Sequence, residues 1–254
     1  MNLSRQAVSF VSAVHRRVGK LIRLLGYWQT LYFAVHWVLG TRMISLRLAG
    51  VPTALWCRPQ DSDIAVLYSA FILRDCDEAA PVTPKTILDL GANIGSVSVF
   101  LANKYRDAKI VAVELDPANA GLLRKNTEAY PLIEVVEGAV WSSRQPCLID
   151  RGDGRSYQLK AREVPEGTPG AAVSLTMDDL LERLPGQRVD LLKMDIEGAE
   201  LALFSAHGEE WIERIGMLIV ETHGAEAREA VVATMQRHGF RYHINDEKLV
   251  FVKS

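Results

Sequence analysis

From residue 86 onward, apolar positions alternate between short continuous runs and stripes at helical spacing. The runs at 86–90, 110–115, 134–141, 190–194 and 217–221 have the length and density of strands buried on both faces. Between them, 96–105, 117–130, 198–206 and 226–238 read as helices, with a shorter helical stripe at 177–184. Strands alternating with helices of this length need crossover connections, which set the strands parallel and cover the sheet on both faces. Residues 240–244 and 248–252, joined through Asn245-Asp246-Glu247, predict an antiparallel hairpin that closes the chain. The expected class is α/β, with a mostly parallel sheet and a terminal hairpin.

Two stretches depart from this rhythm. At 146–160 an inserted hairpin is expected, because 147–150 and 155–159 flank the turn-forming Arg151-Gly152-Asp153-Gly154, whose Arg-Gly-Asp triplet is read as a tight turn. Before residue 80 the pattern changes altogether. Leu21, Leu24, Leu25, Trp28, Leu31, Tyr32, Val35, Val38 and Leu39 repeat at three and four, which predicts one long helix or two broken near Gly26. Alternation at Leu46, Leu48, Leu55 and Trp56 follows, then a helix at 64–73. Asp75, Asp77 and Glu78 with Pro81 and Pro84 mark a boundary near Ala80, giving a basic, aromatic-rich helical region at 1–79 and a larger α/β domain at 80–254.

Charge separates the same two regions. The chain of 254 residues has a formal net charge of −2, yet Arg5, Arg16, Arg17, Lys20, Arg23, Arg42, Arg47 and Arg58 all precede the first acidic residue, Asp61. The remainder is acidic, so the N-terminal arm is expected to have its own task at a surface. Aromatic residues among these cations suit a helix lying in a membrane interface through residues 16–39, peripheral to the inner face. An accessory helix on the domain, or a contact in a homo-oligomer, is the plainer reading. Arg23, Gln29, Thr30 and His36 interrupt 21–39, so no membrane-crossing helix is read. Cys57, Cys76 and Cys147 form no C-x-x-C pair and no export signal is read, which points to a cytoplasmic protein without a disulfide frame.

The chemistry gathers where strands end. Asp89-Leu90-Gly91-Ala92-Asn93-Ile94-Gly95 joins the first strand of the domain to its first helix, and its glycines allow a sharp turn and close approach to a nucleotide-like ligand. Glu114, ending the next strand, is placed to take ribose hydroxyls. The spacing is not the G-x-G-x-x-G of a dinucleotide site, and Asp89 is a poor neighbour for a pyrophosphate. S-adenosylmethionine brings an ammonium and a sulfonium, for which Asp89 and Asp195 are favourable neighbours.

These segments, with Val113-Glu114-Leu115-Asp116-Pro117 and Leu191-Leu192-Lys193-Met194-Asp195-Ile196-Glu197-Gly198-Ala199-Glu200, resemble FkbM-type methyltransferases over roughly residues 84–254. The resemblance implies a Rossmann-like class I methyltransferase fold with seven strands and O-methylation of a sugar or polyketide hydroxyl. It places Gly91, Asn93 and Gly95 on the methionine part of the cofactor, Glu114 on its ribose, and Ala139 and Val140 beside the adenine.

On the acceptor side, Asp195 ends one strand, with Glu197 two residues on, and Glu221-Thr222-His223 ends the next. His223 is the preferred general base for a hydroxyl, with Asp195 and Glu221 beside it. No metal is assigned, although Asp195, Glu221 and His223 could together take a divalent cation. Helix capping competes for Asp195 and Glu197, and Glu200 is read as structural. His207 and His238, each before a glycine, read as end-of-helix donors, and Arg144, Arg151, Arg155, Lys160 and Arg162 as solvated hairpin charge. The expected partner is a carbohydrate or lipid-linked glycan acceptor, with no nucleic acid. The alternative is a non-catalytic Rossmann-like protein that recruits a membrane or protein through its arm.

Overall fold

The computed structural model describes residues 3–150, 160–205 and 209–253, with side chains from residue 18 onward except at 149, 150, 160 and 161. Two compact units meet between Arg74 and Asp75, so Asp75, Asp77 and Glu78 belong to the second rather than to the N-terminal region. The turn at 151–154, Arg155 and His207 lie outside the described residues, as does the side chain of Lys160.

In the first unit, α1 (Leu3–Val38) is interrupted at Gly26, whose φ of 72° and ψ of 174° break the helix where the sequence allowed a break. Strands β1 (Ile44–Arg47) and β2 (Ala54–Cys57) pair antiparallel, and α2 (Asp63–Tyr68) runs into a π turn at Ser69–Leu73. Leu24, Leu25, Phe33, Leu46, Leu55 and Leu67 are buried. Asp63 is fully buried and accepts from the backbone N–H of Arg58 at 2.7 Å and from its guanidinium at 2.7 and 2.9 Å, which satisfies a charge that burial alone would penalise. No helix among the described residues is long and apolar enough to cross a membrane.

The second unit carries the sheet. In chain order its elements are β3 (Thr86–Leu90), α3 (Ser96–Lys104), β4 (Lys109–Glu114), α4 (Pro117–Thr127), β5 (Ile133–Glu137), β6 (Ala139–Val140), β7 (Cys147–Asp150), β8 (Lys160–Glu163), β9 (Ser174–Leu175), α5 (Met177–Leu181), β10 (Val189–Met194), α6 (Glu200–Ser205), β11 (Ile215–Glu221), α7 (Ala225–Arg237), β12 (Phe240–Asn245) and β13 (Lys248–Lys253). Seven strands form one sheet in the order β12-β13-β11-β10-β3-β4-β5. β3, β4, β5, β10 and β11 are parallel, and β13 runs antiparallel between β11 and β12. Both faces of β3 are buried, as its unbroken apolar run requires, and Leu88, Leu90, Leu192, Met194 and Leu218 share one core with Phe204 and Trp211.

The run at 134–141 is two strands rather than one. Gly138 ends β5, and the chain then leaves the sheet so that β6 pairs with β9. A Cβ at Gly138 would lie 2.9 Å from the carbonyl oxygen of Val173, so the crossing admits only glycine. The inserted hairpin is present as β7 paired with β8, its second strand lying later than 155–159.

Candidate active site

The loop after β3 is built by close approaches. Gly91 has a φ of 74°, and a Cβ there would sit 1.8 Å from the carbonyl oxygen of Asp195, so the ends of β3 and β10 can meet only through a glycine. The N–H groups of Gly91 and Ala92 both donate to the carbonyl of Val113, at 3.0 and 2.9 Å. Asn93, at a φ of 51°, donates its N–H to Glu114 Oε2 at 2.7 Å, while Glu114 Oε1 accepts from the N–H of Asp116 at 2.8 Å. Burial raises the Glu114 carboxyl above its ordinary value, against these two N–H bonds. Glu114 thus ties the loop to the start of α4, and a ribose would have to use the lone pairs that remain. Asp116 in turn caps α4, accepting from Ala118 and Asn119 at 2.9 Å each, with Pro117 as its first residue.

Asp89 differs from its expected role. Its side chain is fully buried, accepts from Ser98 Oγ at 2.6 Å and lies 3.2 Å from Lys193 Nζ, its direct neighbour in the β3–β10 register. Its charge is offset inside the sheet by that of Lys193. Lys193 also donates to the carbonyls of Gly91 at 2.7 Å and Leu90 at 3.2 Å. Burial works against its charge, but Asp89 and then Asp195 more than offset this and hold the amine above its ordinary value. Sequence reasoning assigned Lys193 no role, although a lysine inside the apolar run 191–194 was a visible signal.

On the acceptor side, the structure brings Asp195, Glu197 and His223 together. His223 Nε2 lies 3.3 Å from Glu197 Oε2 and 3.8 Å from Asp195 Oδ1, and its Nδ1 lies 3.1 Å from Glu200 Oε1. Glu200 is fully buried and also accepts from the N–H groups of Ile196 at 3.1 Å and Gly198 at 2.8 Å, so it both folds the post-β10 turn and orients the imidazole. Glu197 stands at a φ of 54° within that turn. Glu221 does not join the group: it pairs with Lys248 at 3.0 Å across the β11–β13 register, and Lys248 also reaches Asp75 at 3.0 Å. Ala139 is buried in β6 with its N–H bonded to Val173 at 2.8 Å.

The hydrogen bond to Glu200 pushes the His223 imidazole up to about 9, with burial opposing and the charges of Glu200, Glu197 and Asp195 adding to the rise. Burial, opposed by His223, pushes the Glu197 carboxyl up to about 7, and burial raises Asp195 against the pull of Lys193. An imidazole held at that level is charged at neutral pH, so it does not stand ready as the neutral base expected of it. The three groups share protons as one coupled set. One oxygen, one carboxylate oxygen and one imidazole nitrogen from Asp195, Glu197 and His223 can be chosen within 4.8 Å of one another.

Away from this group, Arg144 pairs with Asp179 at 2.6 Å, Arg162 is exposed, and His238 lies 2.7 Å from Glu213 and 3.2 Å from Glu209.

The loop fits S-adenosylmethionine. Asn93 Oδ1, Ser96 Oγ and Asp195 Oδ1 are buried polar atoms with no hydrogen-bond partner among the described residues, and two of them are acceptors that suit a cationic, polar ligand. Gly91 and Asn93 hold the backbone in the left-handed region that such a cradle needs. A seven-stranded sheet with an antiparallel terminal hairpin, a glycine loop after its central strand and acids at the neighbouring strand ends define a class I S-adenosylmethionine-dependent methyltransferase. The model of the methyltransferase FkbM domain matches residues 89–242, and the chain belongs to that family. It is 28% identical over 210 residues to Methyltransferase sdnD of Sordaria araneosa, covering 68% of this chain and 81% of that protein. Methyltransferase 1 of Beauveria bassiana is 22% identical, with 63% of this chain and 73% of that protein covered. Among solved structures, methyltransferase FkbM from Methylobacillus flagellatus is similar at a TM-score of 0.42 and 17% identity, covering 72% of this chain and 47% of that one.

Proposed function

We propose that this methyltransferase acts on a hydroxyl oxygen of a sugar, glycan or glycolipid, with the carboxylates of Glu197 and Asp195, beside the charged His223, receiving the acceptor's proton. The observation that carries the reading is the place of this proton-sharing group: Asp195 touches the cofactor loop through its backbone at Gly91 and offers an unpartnered oxygen beside the imidazole. S-adenosylmethionine, when bound, supplies a methyl carbon on a positively charged sulfur. With the acceptor oxygen aligned on that carbon, Glu197 and Asp195 would take the proton the hydroxyl gives up, with the His223 imidazolium holding both carboxylates in place. A sugar hydroxyl has a high pKa, so alignment together with proton uptake is the help it needs. Carboxylates and an imidazole also accept and donate in the mixture that a polyhydroxylated acceptor requires.

The test is transfer of labelled methyl from S-adenosylmethionine to sugars, glycans and glycolipids, with the product bond identified. An O-methyl sugar supports the reading. Transfer only to nitrogen, or only to acceptors without a hydroxyl, overturns it.

A second reading has its own geometric support. His223 Nδ1 is fixed by Glu200, which leaves Nε2 toward Asp195 and Glu197, and this is how a histidine is presented to a divalent cation. A cation held there would lower the hydroxyl's pKa directly. The set is Asp195, Glu197 and His223, not one containing Glu221. Activity that survives exhaustive chelation removes this reading, and activity lost to chelation and restored by a divalent cation selects it.

A further inference from the structure

The half of α1 after Gly26 covers one side and leaves the other open. Phe33 is buried within the first unit, as are Leu24 and Leu25 just before the break. Tyr27, Trp28, Leu31, Tyr32, Val35 and Val38 recur at helical spacing on the opposite side, and all are exposed, with Trp28 at 85% and Tyr27 at 77%. A continuous aromatic and aliphatic stripe in water marks an interaction surface.

We propose that this stripe lies in the interface of an anionic lipid membrane. The choice of occupant rests on charge. Lys20, Arg23 and Arg42 are exposed at the two ends of the stripe, and no Asp or Glu occurs before Asp61. Phosphate- and carboxylate-bearing headgroups complement such an arm, whereas a second copy docked symmetrically on the same stripe would bring identical cations together with no acid to offset them. Trp and Tyr, with apolar bodies and polar tips, are the side chains that settle at headgroup depth. The helix is not apolar enough to cross, so it lies flat. The break at Gly26 lets the basic segment before it and the aromatic segment after it take separate directions along a surface. The inference holds whichever acceptor the methyltransferase domain uses.

The test is flotation of the full chain with vesicles of phosphatidylcholine alone and of phosphatidylcholine carrying about one-third phosphatidylserine. The protein is expected to float with the second and not the first, and to be released by high salt. The double variant Trp28→Ser/Tyr32→Ser is expected to lose about tenfold or more in vesicle affinity, and Lys20→Gln/Arg23→Gln a similar amount. Both variants should keep the parent's S-adenosylmethionine affinity, which reports an intact methyltransferase domain. Three results would each overturn the proposal: failure to float with anionic vesicles, flotation that ignores the aromatic pair, or an oligomer in solution that Trp28→Ser/Tyr32→Ser converts to monomer.

Discussion

Strand β10 and the turn after it carry two charged residues two positions apart whose surroundings are opposite. Lys193 has every partner it needs: one carboxylate and two carbonyls, all inside the sheet. Asp195 has an oxygen without a hydrogen bond and shares its neighbourhood with Glu197 and a charged imidazole. A buried charge with complete partners holds structure, since nothing is left over for a ligand. A charge left incomplete is costly to the fold and therefore points to work done on something absent from the chain itself. The cofactor loop is held by the first arrangement and faces the second.

The largest effect is expected at Gly91, which touches both arrangements. Gly91→Ala would drive a Cβ against the Asp195 carbonyl in a backbone conformation that L residues avoid. Loss of S-adenosylmethionine binding in calorimetry and a stability cost above about 4 kcal/mol in chemical denaturation are expected. Next is Lys193→Met, which leaves Asp89 buried and unpaired and should cost about 3–5 kcal/mol. Adding Asp89→Asn should recover a substantial part of that loss. A Lys193→Met protein with the parent's denaturation midpoint would end the contrast, because Lys193 would then not be structural. His223→Asn keeps a donor for Glu200 but removes the imidazole. It should reduce kcat by about a hundredfold while S-adenosylmethionine affinity stays within about threefold. Near-parental turnover would remove His223 from the group that handles the acceptor's proton.

The smallest effect is at His238, a surface histidine with acidic neighbours but no chemistry. The hydrogen bond to Glu213 raises its imidazole above the ordinary value, with burial opposing and Glu209 assisting. A raised folded value means that the stabilisation is complete below the unfolded histidine's pKa, about 6.5, and is lost as pH rises through the folded value. His238→Asn should therefore lower Tm by only about a degree or two near pH 6, since water screens so open a pair. The difference should vanish in alkaline solution, and a Tm gap that widens there would contradict the pairing.

The strands were readable because a sheet covered on both faces needs unbroken apolar runs, and 86–90 is an observed strand end to end. What escaped is what depends on register and on unusual backbone. The helix expected from 198 begins at Glu200, because Glu197 and Gly198 take positive φ first; glycine announces such a conformation and glutamate does not. The same turn brings Glu200 beneath His223, which is why a residue read as structural also orients the imidazole. Asp89 looked available to a cation because its partner lies more than a hundred positions away, and only the pairing of β3 with β10 reveals it. Glu221 was assigned to the acceptor side by its strand end, but the antiparallel return of β13 sets Lys248 against it. The positions of the glycine loop, Asp195 and His223 after β3, β10 and β11 were legible because the apolar runs mark where those strands end.

The contact between Gly91 and the Asp195 carbonyl also defines what could be moved between proteins. A glycine loop transplanted by itself onto another sheet would arrive without the carbonyl that shapes it and without the lysine that holds it. The smallest portable cassette is the pair of adjacent strand ends, β3 with its loop and β10 with its turn.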